Sequence, residues 1–312
     1  MVRPFLRARL VALRRELGRV LRTPHPDTDP RQTEEWLRAA DLARANGQHD
    51  AALDLYRRVL QRRGSDLSAL RGLRETAVAA GLFQGAIEAQ QRLLAAAAPA
   101  ERAEEAELLA SLHYGWARSD LDHGRPEAAI PHLKSALRAA RDFLPAAVAL
   151  GDAQLLAGEP REALRTWERA LEQAPSLPIL ARLERAHRDE GRPSRMIALY
   201  RQAFERAPGD VALAIALGRV YLELEMLDEA ADQLGKVEAQ APDLPAVHAY
   251  LAAVCERRGE WQEACAEYRR ALGLGRAWEW PHRCDRCGSR VPGWQDRCPT
   301  CRHWNSLRPV QA

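Results

Sequence analysis

A glycine, an alanine five residues later and a large apolar residue four beyond that recur along this chain. No other feature of the sequence constrains its fold as strongly. The instances are Gly47, Ala52, Tyr56; Gly81, Ala86, Gln90; Gly124, Ala129, Leu133; Gly158, Ala163, Trp167; Gly191, Met196, Tyr200; Glu225, Ala230, Leu234; and Gly259, Ala264, Tyr268. Gln90 and Met196 are weak matches, and Glu225 stands where the other six instances have glycine. Successive turn residues lie 34, 43, 34, 33, 34 and 34 residues apart. Glycine leaves a helix cheaply through the left-handed conformation, and small residues let paired helices approach closely. Pro175, Pro208 and Pro242 each lie 17 residues past a turn residue, where a second helix should stop. A two-helix unit of this size cannot bury its apolar face alone, so the repeats must stack.

Such a unit resembles the tetratricopeptide repeat over about residues 32–276, which implies an all-α superhelix of about seven repeats. The first helices carry an apolar, apolar, small triplet, as at Ala216, Leu217, Gly218 and Tyr250, Leu251, Ala252. The 43-residue interval holds nine extra residues within Ala95 to Glu107. Because Pro99 can start a helix, the third repeat is expected to have an extended first helix. Glu225 should cost its turn the most permissive left-handed residue without ending the pattern. Cys255 and Cys265 read as small core residues of the last repeat.

Outside the repeats the chain changes character. In residues 1–22, Leu6, Leu10, Leu13, Leu17 and Leu21 fall at helical spacing among seven arginines opposed only by Glu16. This is a basic amphipathic helix, read either as a membrane-surface helix drawn to anionic lipid or as one that docks on the first repeat or frays. A proline- and aspartate-rich linker covers residues 23–31. No uncharged run approaches the ~20 residues needed to cross a bilayer, and the arginines interrupt any signal-peptide core. A cytoplasmic location follows, with possible peripheral contact at the cytoplasmic face of the inner membrane through residues 1–22. The formal net charge of +3 hides basic ends and an acidic middle.

Residues 277–312 form a separate module, in which Cys284, Cys287, Cys298 and Cys301 give the spacing C-x2-C-x10-C-x2-C. Two residues between thiols let each pair wrap one ion, and Gly288 suits the left-handed exit of such a knuckle. Arg302 occupies the matching place in the second knuckle and predicts a more strained or differently turned exit. Four cysteines close a tetrahedral site with no open position for water, so the expected role is structural. Zinc is favoured over iron, because an electron carrier normally comes with a partner domain or cofactor site and the repeats offer neither.

Two ribbons are similar to this one. The stretch Gly293, Trp294, Cys298, Pro299, Thr300, Cys301, Arg302, His303, Trp304, Asn305, Ser306, Leu307 is similar to the amino-terminal ribbon of a bacterial DNA-repair ATPase family. That family also needs a P-loop, and no G-x-x-x-x-G-K-[ST] is present. Tetratricopeptide repeats capped by rubredoxin-like knuckles, with Cys-Pro-x-Cys-Arg-x-Trp at residues 298–304, resemble the lipopolysaccharide assembly protein B family over most of the chain. The resemblance implies a non-enzymatic adaptor linking a membrane-bound AAA+ protease to the deacetylase that commits lipid A synthesis. It also implies metal ligation by the four cysteines and packing of the ribbon against the repeats. The family typically has an amino-terminal transmembrane anchor, where this chain has the basic amphipathic helix.

Arg71, Tyr114, Arg118, Arg185 and Arg219 are expected on the concave face of the first helices, where they would grip an acidic segment or a terminal carboxylate of a protein partner or simply form a solvated face. A generic repeat adaptor is the alternative function, and nucleic-acid binding through the basic ribbon is the least favoured. No H-E-x-x-H or G-x-S-x-G motif occurs, and no histidine–carboxylate spacing suggests an enzyme.

Overall fold

The computed structural model describes residues 30–272 and 280–310. The expected leader helix over 1–22, and the linker as far as residue 29, lie outside the described residues. Among those described, fourteen helices follow one another as seven pairs: α1 (Pro30–Ala45) with α2 (His49–Arg62), α3 (Leu67–Ala79) with α4 (Phe83–Ala96), α5 (Arg102–Asp122) with α6 (Pro126–Ala139), α7 (Leu144–Leu156) with α8 (Pro160–Gln173), α9 (Leu177–Asp189) with α10 (Pro193–Arg206), α11 (Val211–Glu223) with α12 (Leu227–Gln240), and α13 (Pro245–Arg258) with α14 (Trp261–Arg270). Three short strands close the fold, β1 (His282–Cys284), β2 (Arg290–Val291) and β3 (Leu307–Pro309). No described helix is long and apolar enough to cross a membrane.

The chain divides into two compact units, one ending at Arg102 and one starting at Ala103. The division falls inside the stretch that lengthens the third interval. There α5 runs to 21 residues, the extended first helix expected, but it starts three residues after Pro99. Pro99 sits instead in the turn before it, where the Ala98 carbonyl accepts from the Glu101 and Arg102 N–H groups.

Every pair is joined by the same turn. Gly47, Gly81, Gly124, Gly158, Gly191 and Gly259 have φ between +65° and +79°, and Glu225 keeps the same turn at +59°. The next residue's N–H then reaches back to the helix: Gln48 to the Ala43 carbonyl, Leu82 to Ala77, Arg125 to Asp120, Glu159 to Gln154, Arg192 to His187, Met226 to Tyr221 and Glu260 to Cys255, at 2.8 to 2.9 Å. This six-to-one bond satisfies a carbonyl that the helix end would otherwise orphan.

Seven residues beyond the same turn residue toward the amino terminus lies the helix crossing, and its chemistry varies in matched pairs. Ala40 and Ala117 are fully buried there. At Gly151 an added Cβ would stand 2.0 Å from Trp167 Nε1, and at Gly218 2.7 Å from Leu234, so only glycine admits those partners. Where the crossing residue is large it is polar, and so is its partner. Arg74 donates to Gln90 Oε1 (2.8 Å), and Tyr200 donates to Glu184 Oε2 (2.6 Å). The weak match at Gln90 is therefore half of a hydrogen-bonded pair, fully buried. Met196 substitutes for alanine at 2% exposure without a polar partner.

Glu184 anchors an ion network across α9, α10 and α11. Its side chain is 9% exposed, and it accepts from Arg219 Nη1 (3.0 Å) and Arg188 Nη2 (2.7 Å) besides Tyr200. Glu223 pairs with both arginines. Burial alone would raise the Glu184 carboxyl, but the bonds from Arg219, Tyr200 and Arg188 outweigh it and hold its pKa below the usual carboxylate range.

Two expectations follow for thermal and acid melts. Glu225→Gly relieves a left-handed glutamate and should stabilise its unit by about 1 kcal/mol, less what is lost with the exposed Arg257 pair. A carboxyl lowered in the folded state contributes stability above its unfolded pKa and loses it as pH falls through the folded value. Glu184→Gln should therefore flatten the acid limb of the stability curve while lowering the plateau near neutral pH.

Candidate metal centre

The ribbon is a three-stranded antiparallel sheet of order β2-β1-β3. Two knuckles flank it with the same hydrogen bonds. In the first, the Cys284 N–H donates to the Ser289 carbonyl (2.9 Å) and the Gly288 N–H to the Cys284 carbonyl (2.8 Å). In the second, the Cys298 N–H donates to His303 and the Arg302 N–H to Cys298, both at 2.9 Å. Gly288 leaves at φ +73° and Arg302 at +59°. The second exit is the same left-handed turn, strained by a side chain, rather than a different one; roughly 1 kcal/mol is the usual cost.

This duplication brings the four sulfurs together. All four Sγ atoms lie within 4.8 Å of one another. Cys284 faces Cys301 at 3.6 Å, and Cys287 faces Cys298 at 3.6 Å. An ion with metal–sulfur bonds of about 2.3 Å sets tetrahedral sulfurs about 3.8 Å apart, so the donors are spaced for one. Cys284 and Cys298 are buried, whereas Cys287 and Cys301 are exposed.

Without a cation the thiols do not all ionise together. Burial opposes the Cys284 thiolate, but Ser306, 3.3 Å away, and the Cys287 and Arg286 N–H groups bring its thiol down to about 6. Cys298 is lowered as well, chiefly by the Cys301 N–H. For Cys301 the His303 N–H favours the thiolate, yet burial and the neighbouring sulfurs push it up to about 12. A divalent ion removes that mutual repulsion. It also supplies what packing does not, since Cys284, Val291, Cys298 and Leu307 make up the ribbon's own apolar cluster.

The ribbon does not stand alone. Tyr114, on α5, is 3% exposed and donates to Asp296 Oδ2 of the ribbon at 2.6 Å. Its ring meets Trp304 edge-on at 4.9 Å and Phe143 at 5.8 Å. Burial first, then Asp296, holds the Tyr114 hydroxyl well above its ordinary pKa. Trp280 and Trp294 pack into the large core built by α7 to α13. Between ribbon and repeats runs a cleft of about 410 Å³, walled by Leu144, Leu177, Leu213, Trp294 and Leu307.

The five residues singled out for partner binding therefore separate. Tyr114 is spent on the ribbon, and Arg219, 16% exposed, on Glu184 and Glu223. Neither presents a free surface, because each has found its acid within the chain. Arg71, Arg118 and Arg185 are exposed, with Arg118 3.7 Å from Asp122. Sequence reasoning missed Asp296 and Ser306, whose roles depend on which repeat the ribbon reaches and how its strands register. Trp304 was visible as part of the Cys-Pro-x-Cys-Arg-x-Trp signature, though not as an anchor.

Removing the metal with a strong chelator, or replacing Cys284 with Ser, should release on the order of 10 kcal/mol of metal-coupled folding. The measurable result is proteolytic cleavage within residues 280–310 and a red shift of tryptophan emission, while the helical signal stays near its starting value.

Models of the tetratricopeptide repeat match residues 37–101, 120–186 and 187–254. A model of the LapB zinc ribbon, described as a rubredoxin metal binding domain, matches residues 282–309. No curated protein matches the chain. Similar solved structures include MamA 41-end from Desulfovibrio magneticus RS-1, 19% identical over 53% of this chain and 94% of that one, with a TM-score of 0.39. They also include TTC0263, a thermophilic TPR protein of Thermus thermophilus (28% identity, 61% and 99% coverage, TM-score 0.30), and pilF of Pseudomonas aeruginosa (19%, 56% and 79%, 0.41). Tetratricopeptide repeats followed by this ribbon are the defining architecture of the lipopolysaccharide assembly protein B family, and the chain belongs to that family.

Proposed function

We propose that this repeat adaptor regulates lipopolysaccharide assembly by bringing a membrane-bound AAA+ protease to the deacetylase that commits lipid A synthesis. The observation that carries the reading is the seating of the ribbon on the repeats through Tyr114, Asp296 and Trp304. It makes the repeats from α5 onward and the ribbon one recognition body, as a two-module adaptor requires. Arg71, Arg118 and Arg185 are the side chains assigned to acidic groups of a protein partner. Contact with the cytoplasmic face of the inner membrane, through residues 1–22, belongs to the same proposal.

Zinc is the ion we assign to Cys284, Cys287, Cys298 and Cys301. When bound, it supplies charge neutralisation and a cross-link. The residues around it do the rest: Ser306 and the knuckle N–H groups hold the thiolates in place, and Trp304 carries the ribbon to the repeats.

Affinity purification from the native cell, under membrane-solubilising conditions, should recover both the protease and the deacetylase. Trp304→Ala combined with Tyr114→Phe should retain one metal per chain and lose at least one of the two. Recovery of neither enzyme by the unaltered protein overturns the proposal.

A further inference from the structure

The junction between the sixth and seventh repeats carries charge at three positions that the other repeats fill differently. Thirteen residues after the turn residue, five repeats have leucine and one has Phe204, but the sixth has Glu238. Eight residues after it the seventh repeat has Glu267, and no other repeat has a carboxylate there. Eleven residues before it five repeats carry Trp, Leu or Ala, the third has His113 and the seventh has His248. The fold gathers Glu238 on α12, His248 on α13 and Glu267 on α14, one nitrogen or oxygen atom of each lying within 4.8 Å of the others.

His248 is 4% exposed. Its two ring nitrogens face a carboxylate and a carbonyl, groups that only accept. Nδ1 stands 2.7 Å from Glu267 Oε2, with Glu238 Oε1 at 3.9 Å, and Nε2 stands 2.6 Å from the Pro242 carbonyl in the turn joining α12 to α13. A neutral imidazole has one N–H and one lone pair, so it would satisfy one of these oxygens and repel the other. The geometry is that of an imidazolium donating twice. Arg270 of α14 completes the charge balance, its Nη1 3.3 Å from Glu238 and 3.1 Å from Glu267. Burial alone would favour the neutral ring, but the Pro242 carbonyl, Glu267 and Glu238 outweigh it and hold the His248 pKa above its ordinary value. On α13 itself Cys255 lies two turns on; read as a core residue, it is only half-buried, and burial first, then Glu260, raises its thiol. Cys265, on α14, was likewise expected in the core and is exposed.

His113 is the control within the same chain. At the place that Glu267 takes in the seventh repeat, the third has His132, and the two rings lie 6.4 Å apart. His113 Nδ1 is buried without a partner among the described residues, and burial, then His132 and Arg138, lower its pKa. The acids, not the position, therefore hold the second proton on His248.

We propose that this cluster is a proton-operated clasp between the sixth and seventh repeats: the doubly protonated ring of His248 ties the Pro242 turn and α12 to α14, and loss of one proton releases the tie. A group whose pKa is raised in the folded state contributes stability that is fully present below its unfolded value and is lost as pH rises through the folded one. The seventh repeat is thus firm in mildly acidic solution and loosens on the alkaline side, the reverse of the contribution made by Glu184.

The test uses the metal-loaded full chain. Ring nitrogen-15 NMR should show both His248 nitrogens protonated below the ordinary histidine midpoint of about 6.5 and a titration that comes later than it. A triple variant, His248→Leu, Glu267→Leu and Glu238→Leu, puts at each position a residue that other repeats use there, and it identifies the signal by its loss. Amide-exchange protection along α13 and α14, corrected for the intrinsic rate at each pH, should fall about tenfold through the His248 midpoint, the weight of one charge-assisted hydrogen bond. Protection in α7 and α8 should not follow it, and the triple variant should show no step. A ring that is already half neutral at or below the ordinary midpoint overturns the proposal. So does protection that stays flat through the midpoint, or the same step in the triple variant. A second metal equivalent per chain that disappears with His248 also overturns it, because Nδ1 would then hold an ion in place of a proton.

Discussion

Each helix pair turns on a single residue with positive φ, followed by one N–H that reaches back to the helix it has just left. With the reversal set in this way, the side chains seven residues before and nine after the turn must meet. Their sizes are then no longer independent. Glycine faces tryptophan or leucine, alanine faces leucine or tyrosine, and glutamate faces a tyrosine hydroxyl that satisfies it. A buried carboxylate at such a point is tolerable only because Arg219 and Arg188 bring it charge and hydrogen bonds, the condition under which a buried ion keeps its charge.

The period of the pattern, the seven turns and the four-cysteine spacing were all legible in the residues, because each depends on local chemistry that one sequence carries. Glu225 illustrates this: the pattern survives without glycine, and the turn survives with it. What stayed hidden depends on the third dimension. Tyr114 and Arg219 looked like free recognition residues on helix faces, yet Asp296, 182 positions away from Tyr114, and Glu184 claim them. No periodicity reports where a ribbon will land. Cys265 was misjudged for the opposite reason, since a position that is buried or half-buried in every other repeat is surface in the last.

The metal centre joins a weak module to a strong one. Four apolar side chains do not hold thirty residues of strand and knuckle together, and the two knuckles, alike in hydrogen bonding though not in sequence, gain rigidity by sharing one ion. Once rigid, the ribbon presents Asp296 and Trp304 at a fixed separation, and the repeats read that separation with Tyr114. The arginine exit of the second knuckle holds a non-glycine residue in the left-handed region beside the four cysteines, whose geometry an ion would over-determine when bound.

A linear array of repeats ordinarily melts as a one-dimensional chain of neighbours, each responsive only to the next. The bond from Asp296 back to Tyr114 changes that topology. The ribbon is attached after the seventh repeat and fastened to the third, so the segment from α5 onward becomes a closed circuit. Closing it brings together residues far apart in the chain, at an entropic cost that grows with the loop and slows folding. In return, local fraying at either end is coupled to every repeat between. Loss of the ion would reopen the circuit and return the five repeats to independent neighbours, so metal occupancy governs how cooperatively this half of the protein holds together.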